Sequence, residues 1–135
     1  MRYGIEEINY INIMEKSTKA KIKDCYLEND LLVFITDEGE IGKAIGKAGS
    51  NIKRVSNLLH KQIKVIEFNK SPEIFIENLI KPVKGKVYKD ENGTIFIEVK
   101  DMAGKANLLG KNRRNLIKIQ EIASKYFKDI QIKVV

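Results

Sequence analysis

Apolar and polar residues alternate along this chain in two rhythms, one helical and one strand-like, and the order of the rhythms repeats. Over residues 6–16, Ile8, Ile11 and Met14 or Ile5 fall at helical spacing, and Tyr10 and Ile13 broaden that face, which predicts a first helix. Two strand-like runs, 20–27 and 31–36, flank Glu28-Asn29-Asp30 and predict a β-hairpin. Asp37-Glu38-Gly39-Glu40 breaks the pattern and places acids ahead of a short helix over 41–45. Gly49 or Ser50 then caps a longer helix to about His60, with Ile52, Val55, Leu58 and Leu59 at helical spacing. The alternating run 61–68 closes this half as a strand.

The same order starts again at Ser71-Pro72-Glu73, an N-cap with proline at the first helical position. That helix runs through Ile80 and ends at Lys81-Pro82. Strands over 83–89 and 94–100 surround Asp90-Glu91-Asn92-Gly93, in which Asn92-Gly93 is the strongest turn signal of the chain. A short helix over 102–109, the turn Gly110-Lys111-Asn112-Arg113, a helix over 115–127 with Leu116, Ile119, Ala123 and Tyr126 on one face, and a strand over 130–134 complete it. Aligned directly, Ile45-Gly46-Lys47 pairs with Leu109-Gly110-Lys111 and Asn51-Ile52 with Asn115-Leu116. Val55 and Leu58 match Ile119 and Ile122, and Ile63 and Val65 match Ile130 and Ile132 after a three-residue insertion. The expected fold class is α+β, two α-β-β-α-α-β units over 1–69 and 70–135. Each is marginal in size for independent stability, so the two are expected to pack against each other across a short linker, 69–71.

Charge sharpens this picture. Residues 41–66 and 102–120 together make 45 positions that hold 11 of the 25 Lys and Arg and none of the 18 Asp and Glu. The other 90 residues carry 14 basic and 18 acidic side chains, a net of −4, so the whole surplus of +7 lies in two segments, each built around a glycine-lysine turn. That distribution is the footprint of a protein that meets polyanions. Composition adds bounds: 43% hydrophobic and 32% charged residues describe a folded chain, and no apolar run approaches the roughly 20 residues of a membrane span. The segment from Met1 to Glu7 has no continuous apolar core of a secretory signal. The single Cys25 forms no internal disulfide, and one histidine, His60, supports no zinc set. A soluble, cytoplasmic protein without metal or cofactor is expected.

Glycines at the turn let backbone approach a ligand, and the helix that starts near Ser50 points free N–H groups and its positive dipole end at the same place. Lys47 adds a point charge. Bases would lie in a neighbouring groove lined by Ile41, Ile45, Ile52 and Ile63, so that phosphates are gripped on one side and base edges on the other.

The run Ile45-Gly46-Lys47-Ala48-Gly49-Ser50-Asn51-Ile52, followed by an amphipathic helix and a strand, resembles the GXXG signature of a KH domain. The element order resembles the type II arrangement of that domain. Two such units in tandem, with Asp24-Cys25 in the first hairpin and Gly110-Lys111-Asn112-Arg113-Arg114-Asn115-Leu116 in the second half, are similar to the archaeal NusA-like transcription termination and antitermination factors. The resemblance implies about four unpaired nucleotides of RNA per domain. Gly46, Lys47, Ala48 and Gly49 match the first loop, and Lys43, Ser50, Asn51, Lys53 and Arg54 around it join the expected RNA-binding set. In the second half Gly110, Lys111 and Asn112 match, Arg113 stands where the closing glycine would be, and Arg114 follows. That replacement adds charge and removes the easy approach of backbone to phosphate. The polymerase-binding and S1 domains of bacterial NusA have no counterpart within these 135 residues. The expected partner is single-stranded RNA, with RNA polymerase or a transcription complex as a second candidate, and a monomer is expected.

A nucleotide-hydrolysing P-loop over 42–50 fails its pattern. Only three residues separate Gly42 from Gly46, and Lys47 is followed by Ala48 rather than Ser or Thr. No enzyme is expected. His60 reads as a surface or capping residue, Cys25 as a small buried one, Asp24 as a support of the fold, and Lys84, Lys86 and Lys89 as ordinary surface. Three functions fit: a factor that holds nascent RNA and modulates transcription elongation or termination, a ribosome-associated or ribosome-assembly RNA-binding protein, and, on account of Arg113, a KH-fold protein-interaction module.

Overall fold

The computed structural model describes residues 5–135, and the side chain of Ile5, one candidate for the first helical face, falls outside the described set together with residues 1–4. The described residues divide into two compact units between Asn69 and Lys70. In the first, α1 (Ile5–Thr18) precedes β1 (Ile22–Glu28), β2 (Leu31–Thr36), α2 (Ile41–Ile45), α3 (Ser50–Leu59) and β3 (Gln62–Glu67). In the second, α4 (Pro72–Ile80) precedes β4 (Lys86–Lys89), β5 (Ile95–Glu98), α5 (Met102–Leu109), α6 (Arg114–Tyr126) and β6 (Ile132–Val134). The strands of the second unit are shorter than their hydrophobic runs: residues 83–85 lie outside β4, and β6 begins two residues later than alternation predicts. Alternation marks which way side chains face, whereas a strand also requires a ladder partner.

Each sheet has three strands, ordered β1-β2-β3 and β4-β5-β6. The first pair in each is an antiparallel hairpin and the second pair is parallel, with Phe34 opposite Val65 and Ile95 opposite Ile132. A parallel pair needs a crossover, and α2–α3 and α5–α6 supply it. The crossover therefore has to turn between two helices within a few residues.

The core of the first unit holds Met14, Ile22, Cys25, Leu32, Phe34, Ala44 and Val55, with Ile63 and Val65 packed against it. β2 is the central strand and is buried from Leu32 to Thr36, which explains its unbroken apolar run. In the second unit Phe75 of α4 meets the ring of Tyr126 edge-on at 5.9 Å and that of Phe127 at the same distance. Ser71 is the N-cap that the sequence predicts: its hydroxyl accepts from the Ile74 amide. Asp101, which carries no such expectation, caps α5 by accepting from the Ala103 and Gly104 amides. Among the described residues no helix is long and apolar enough to cross a membrane.

Cys25 is 1% exposed, and burial, reinforced by the neighbouring Asp24 carboxylate, pushes its thiol up to about 12. Asp24 is itself fully buried, its Oδ1 accepting from the Cys25 amide. The thiol is therefore expected to stay protonated and unreactive toward a thiol reagent at mildly alkaline pH in the native protein, and to react at once in denaturant. Rapid labelling of the folded chain would contradict this placement.

Candidate nucleic-acid interface

Both crossovers turn in the same way. α2 ends at Gly46 (φ 76°, ψ 170°), whose amide donates to the Gly42 carbonyl, and α5 ends at Gly110 (φ 72°, ψ 173°), whose amide donates to the Ala106 carbonyl. That backbone region belongs essentially to glycine. Ala48 (φ 53°, ψ 30°) and Asn112 (φ 56°, ψ 31°) come next but one, in left-handed conformation. Gly49 (φ 76°, ψ 14°) and Arg113 (φ 60°, ψ 22°) then lead into α3 and α6. The Gly49 amide closes the first turn on the Gly46 carbonyl at 3.1 Å, and the Arg113 amide closes the second on the Gly110 carbonyl at 3.2 Å.

A single asparagine locks each turn. Asn51 Nδ2 donates to the Lys43 carbonyl at 2.7 Å, and Asn115 Nδ2 donates to the Asn107 carbonyl at 2.8 Å. The carboxamide thus ties the first turn of one helix to the last turn of the helix before it. It also explains the first glycine, since a Cβ on Gly46 or on Gly110 would lie 2.7 Å from the Asn51 or Asn115 Cγ. A Cβ on Gly49 would meet nothing within 4 Å. Arg113 consequently occupies the closing position without disturbing the backbone; the replacement changes the side chain presented, not the shape of the turn. The αL conformation of a non-glycine residue costs about 1 kcal/mol there.

The ends of the helices differ in a way that matters for anions. α4 and α5 are capped by the side chains of Ser71 and Asp101, whereas no side chain caps α3 or α6 at the turns. The first amide of each bonds within its turn, Ser50 to the Lys47 carbonyl and Arg114 to the Lys111 carbonyl, so the free N–H expected at Ser50 is taken up by the turn. The positive dipole end lies beside exposed Lys47, Ala48 and Ser50 in one unit, and beside exposed Lys111, Asn112, Arg113 and Arg114 in the other. Lys53 is also exposed, on the first turn of α3. Two candidates have internal partners. Arg54 Nη2 donates to the Ser17 carbonyl and to Asn51 Oδ1, and so braces the lock asparagine against the end of α1. Lys43 pairs with Glu40 at 3.3 Å, while the backbone amide of Lys21, more than Lys43, holds the Glu40 carboxyl below its usual range. Glu40 precedes α2 without capping it.

Beside α3 lies an open hollow of about 500 Å³ lined by Ile52, Lys53, Ser56, Asn57 and Ile63, among others. Ile41 and Ile45 are not among its lining residues, so the apolar wall is narrower than the sequence suggested. Asn115 and Gln120 lie outside the set of site residues that the sequence suggested. The repeated Asn-apolar pair signalled the first, and nothing in the sequence signalled the second.

A family model described as "KH domain" matches residues 7–103, which takes in the first turn and ends within the second unit. The chain is 31% identical to "Probable transcription termination protein NusA" of Methanocaldococcus jannaschii, over 100% of this chain and 75% of that protein. It is 30% identical to the protein of the same name from Methanococcus vannielii, over 100% and 80%. The crystal structure of APE1850 superposes with a TM-score of 0.67 at 29% identity, covering 97% of this chain and 100% of that one.

The interlock makes unequal demands on the glycines. Gly46→Ala and Gly110→Ala are each expected to destabilise the fold by at least about 2 kcal/mol, through overlap with the asparagine and a forbidden backbone region. Gly49→Ala is expected to cost only about 1 kcal/mol. Urea unfolding of the three variants measures the order, and equal effects at positions 46 and 49 would remove the interlock as the reason for the first glycine.

Proposed function

The chain belongs to the KH-domain family, among the archaeal NusA-like proteins, and from that premise we propose that both of its units are type II KH domains that hold single-stranded RNA at their glycine-lysine turns. The observation that carries this reading is the pair of uncapped helix N-termini at matching turns, each set in a segment free of acidic residues. Phosphates would lie against the turn, where backbone amides and Lys47 or Lys111 meet them, in the manner of anions at helix N-termini. In the first unit, bases would lie over the hollow between α3 and β3. The proposed contacts are Lys43, Gly46, Lys47, Ala48, Gly49, Ser50 and Lys53 in the first unit, with Asn51 and Arg54 holding the turn. In the second they are Gly110, Lys111, Asn112, Arg113 and Arg114. The chain works by binding rather than by catalysis.

The name of these relatives points to transcription termination, so the RNA is proposed to be a nascent transcript and the setting a cytoplasmic transcription complex. Duplex RNA is a poorer fit, because it buries its base edges whereas a turn beside a narrow groove suits splayed, unpaired nucleotides.

Fluorescence anisotropy with a short single-stranded RNA tests this reading. Lys47→Asp combined with Ala48→Asp is expected to weaken binding at least about tenfold, and to lower the slope of log affinity against log salt by about 0.7 for each phosphate no longer held. Lys111→Asp with Asn112→Asp reports on the second turn. Unchanged affinity in both double variants, with the fold intact by circular dichroism, would sink the turn-centred mechanism.

A further inference from the structure

The two units keep the same turn but treat the free edge of their parallel strand differently. Just before β6 the Gln131 carbonyl accepts from the Ile95 amide, and just beyond it the amide of Val135 donates to the Ile97 carbonyl, so the residues between them, Ile132 included, turn alternate backbone groups away from β5. Gln120, in the middle of α6, occupies that outward edge. Its Oε1 accepts from the Ile132 amide at 3.1 Å, and its Nε2 donates to the Ile130 carbonyl at 2.8 Å and to Ser124 Oγ at 2.9 Å. One donor and one acceptor in a planar group are what a nucleobase edge presents to a strand.

In the first unit the equivalent of Gln120 is Ser56, the equivalent backbone groups are the Ile63 carbonyl and the Val65 amide, and Phe68 donates to Thr36 just as Val135 does to Ile97. Ser56 Oγ donates to the Lys61 carbonyl and reaches no further along the strand. Among the described residues no side chain bonds the Ile63 carbonyl or the Val65 amide, and Ser56 and Ile63 both line the hollow beside α3. We infer that the residue at this helix position decides whether a unit reads bases: the first unit, with Ser56, leaves its β3 edge open to a base, while in the second Gln120 stands in for the base and leaves that unit a phosphate grip alone. The inference rests on the RNA-binding reading and assigns the two turns different work within it.

A reciprocal exchange in the full chain tests it. The readout is the ratio of affinities for a short single-stranded RNA and for a ribose-phosphate oligomer of the same length without bases. Gln120→Ser is expected to raise that ratio by about tenfold, the worth of one added pair of edge hydrogen bonds. Ser56→Gln is expected to bring it down toward one while binding of the baseless oligomer persists. Amide exchange gives a structural check: Ile132 should lose protection in Gln120→Ser while Val135 keeps it. A ratio unmoved by either exchange overturns this inference alone, since the wild type still binds RNA. Failure of the wild type to bind either strand overturns the RNA-binding reading, and this inference with it.

Discussion

The contact between an asparagine carboxamide and a glycine with no Cβ governs everything else in this protein that bears on function. A parallel strand pair forces a crossover, and the crossover consists of two helices that must change direction within four residues. Asn51 and Asn115 hold that change by bonding a carbonyl eight residues earlier, and they sit so close that Gly46 and Gly110 admit nothing larger. Once the lock is made, the following helix starts without a side-chain cap, its positive dipole end at an exposed turn. The feature proposed to hold anions is thus a by-product of the way the crossover is fastened. The ligand side chains only tune it.

Much of this was legible in the chain. The order of helices and strands, the hairpins, the cap at Ser71 with Pro72 at the first helical position, and the position of both turns follow from periodicity and turn chemistry, because each is a local property. The resemblance of the first turn to a KH signature pointed to the family to which the chain belongs. What escaped was longer in range. Arg113 reads in sequence as the loss of a glycine, yet its backbone follows that of Gly49, because the lock two residues on, at Asn115, fixes the turn and makes the αL conformation the cheapest available. Arg54 reads as a free cation, but its guanidinium bonds the end of α1, thirty-seven positions away. Gln120 looks like any polar residue on an amphipathic helix. Its importance depends on a strand edge that sequence alone does not place beside it.

The division of charge follows the same logic. All of the excess positive charge lies in the two segments that carry the turns, and the acids lie elsewhere, mostly in α1, the hairpins and α4. Where an acid does come close, as at Glu40, it bonds the Lys21 amide and pairs with Lys43, so it competes little with a phosphate at Lys47. Such a distribution gives a field that attracts a polyanion broadly, which sets affinity and its dependence on salt but carries no sequence information.

Discrimination between sequences must therefore come from groups that meet base edges, and backbone donors and acceptors on a free strand edge are the groups best fixed in space for that purpose. Duplication of such a unit would give two phosphate grips at once, but it need not give two readers. A second open edge would narrow the set of RNAs bound tightly by both, whereas a second grip without an edge adds affinity on any sequence, provided the strand is long enough to reach it. The difference between Ser56 and Gln120 leaves the turn, the lock and the helix intact, and it acts only on whether the edge is occupied. On this proposal, a single side chain in the middle of a helix would be sufficient to separate holding an RNA from reading it.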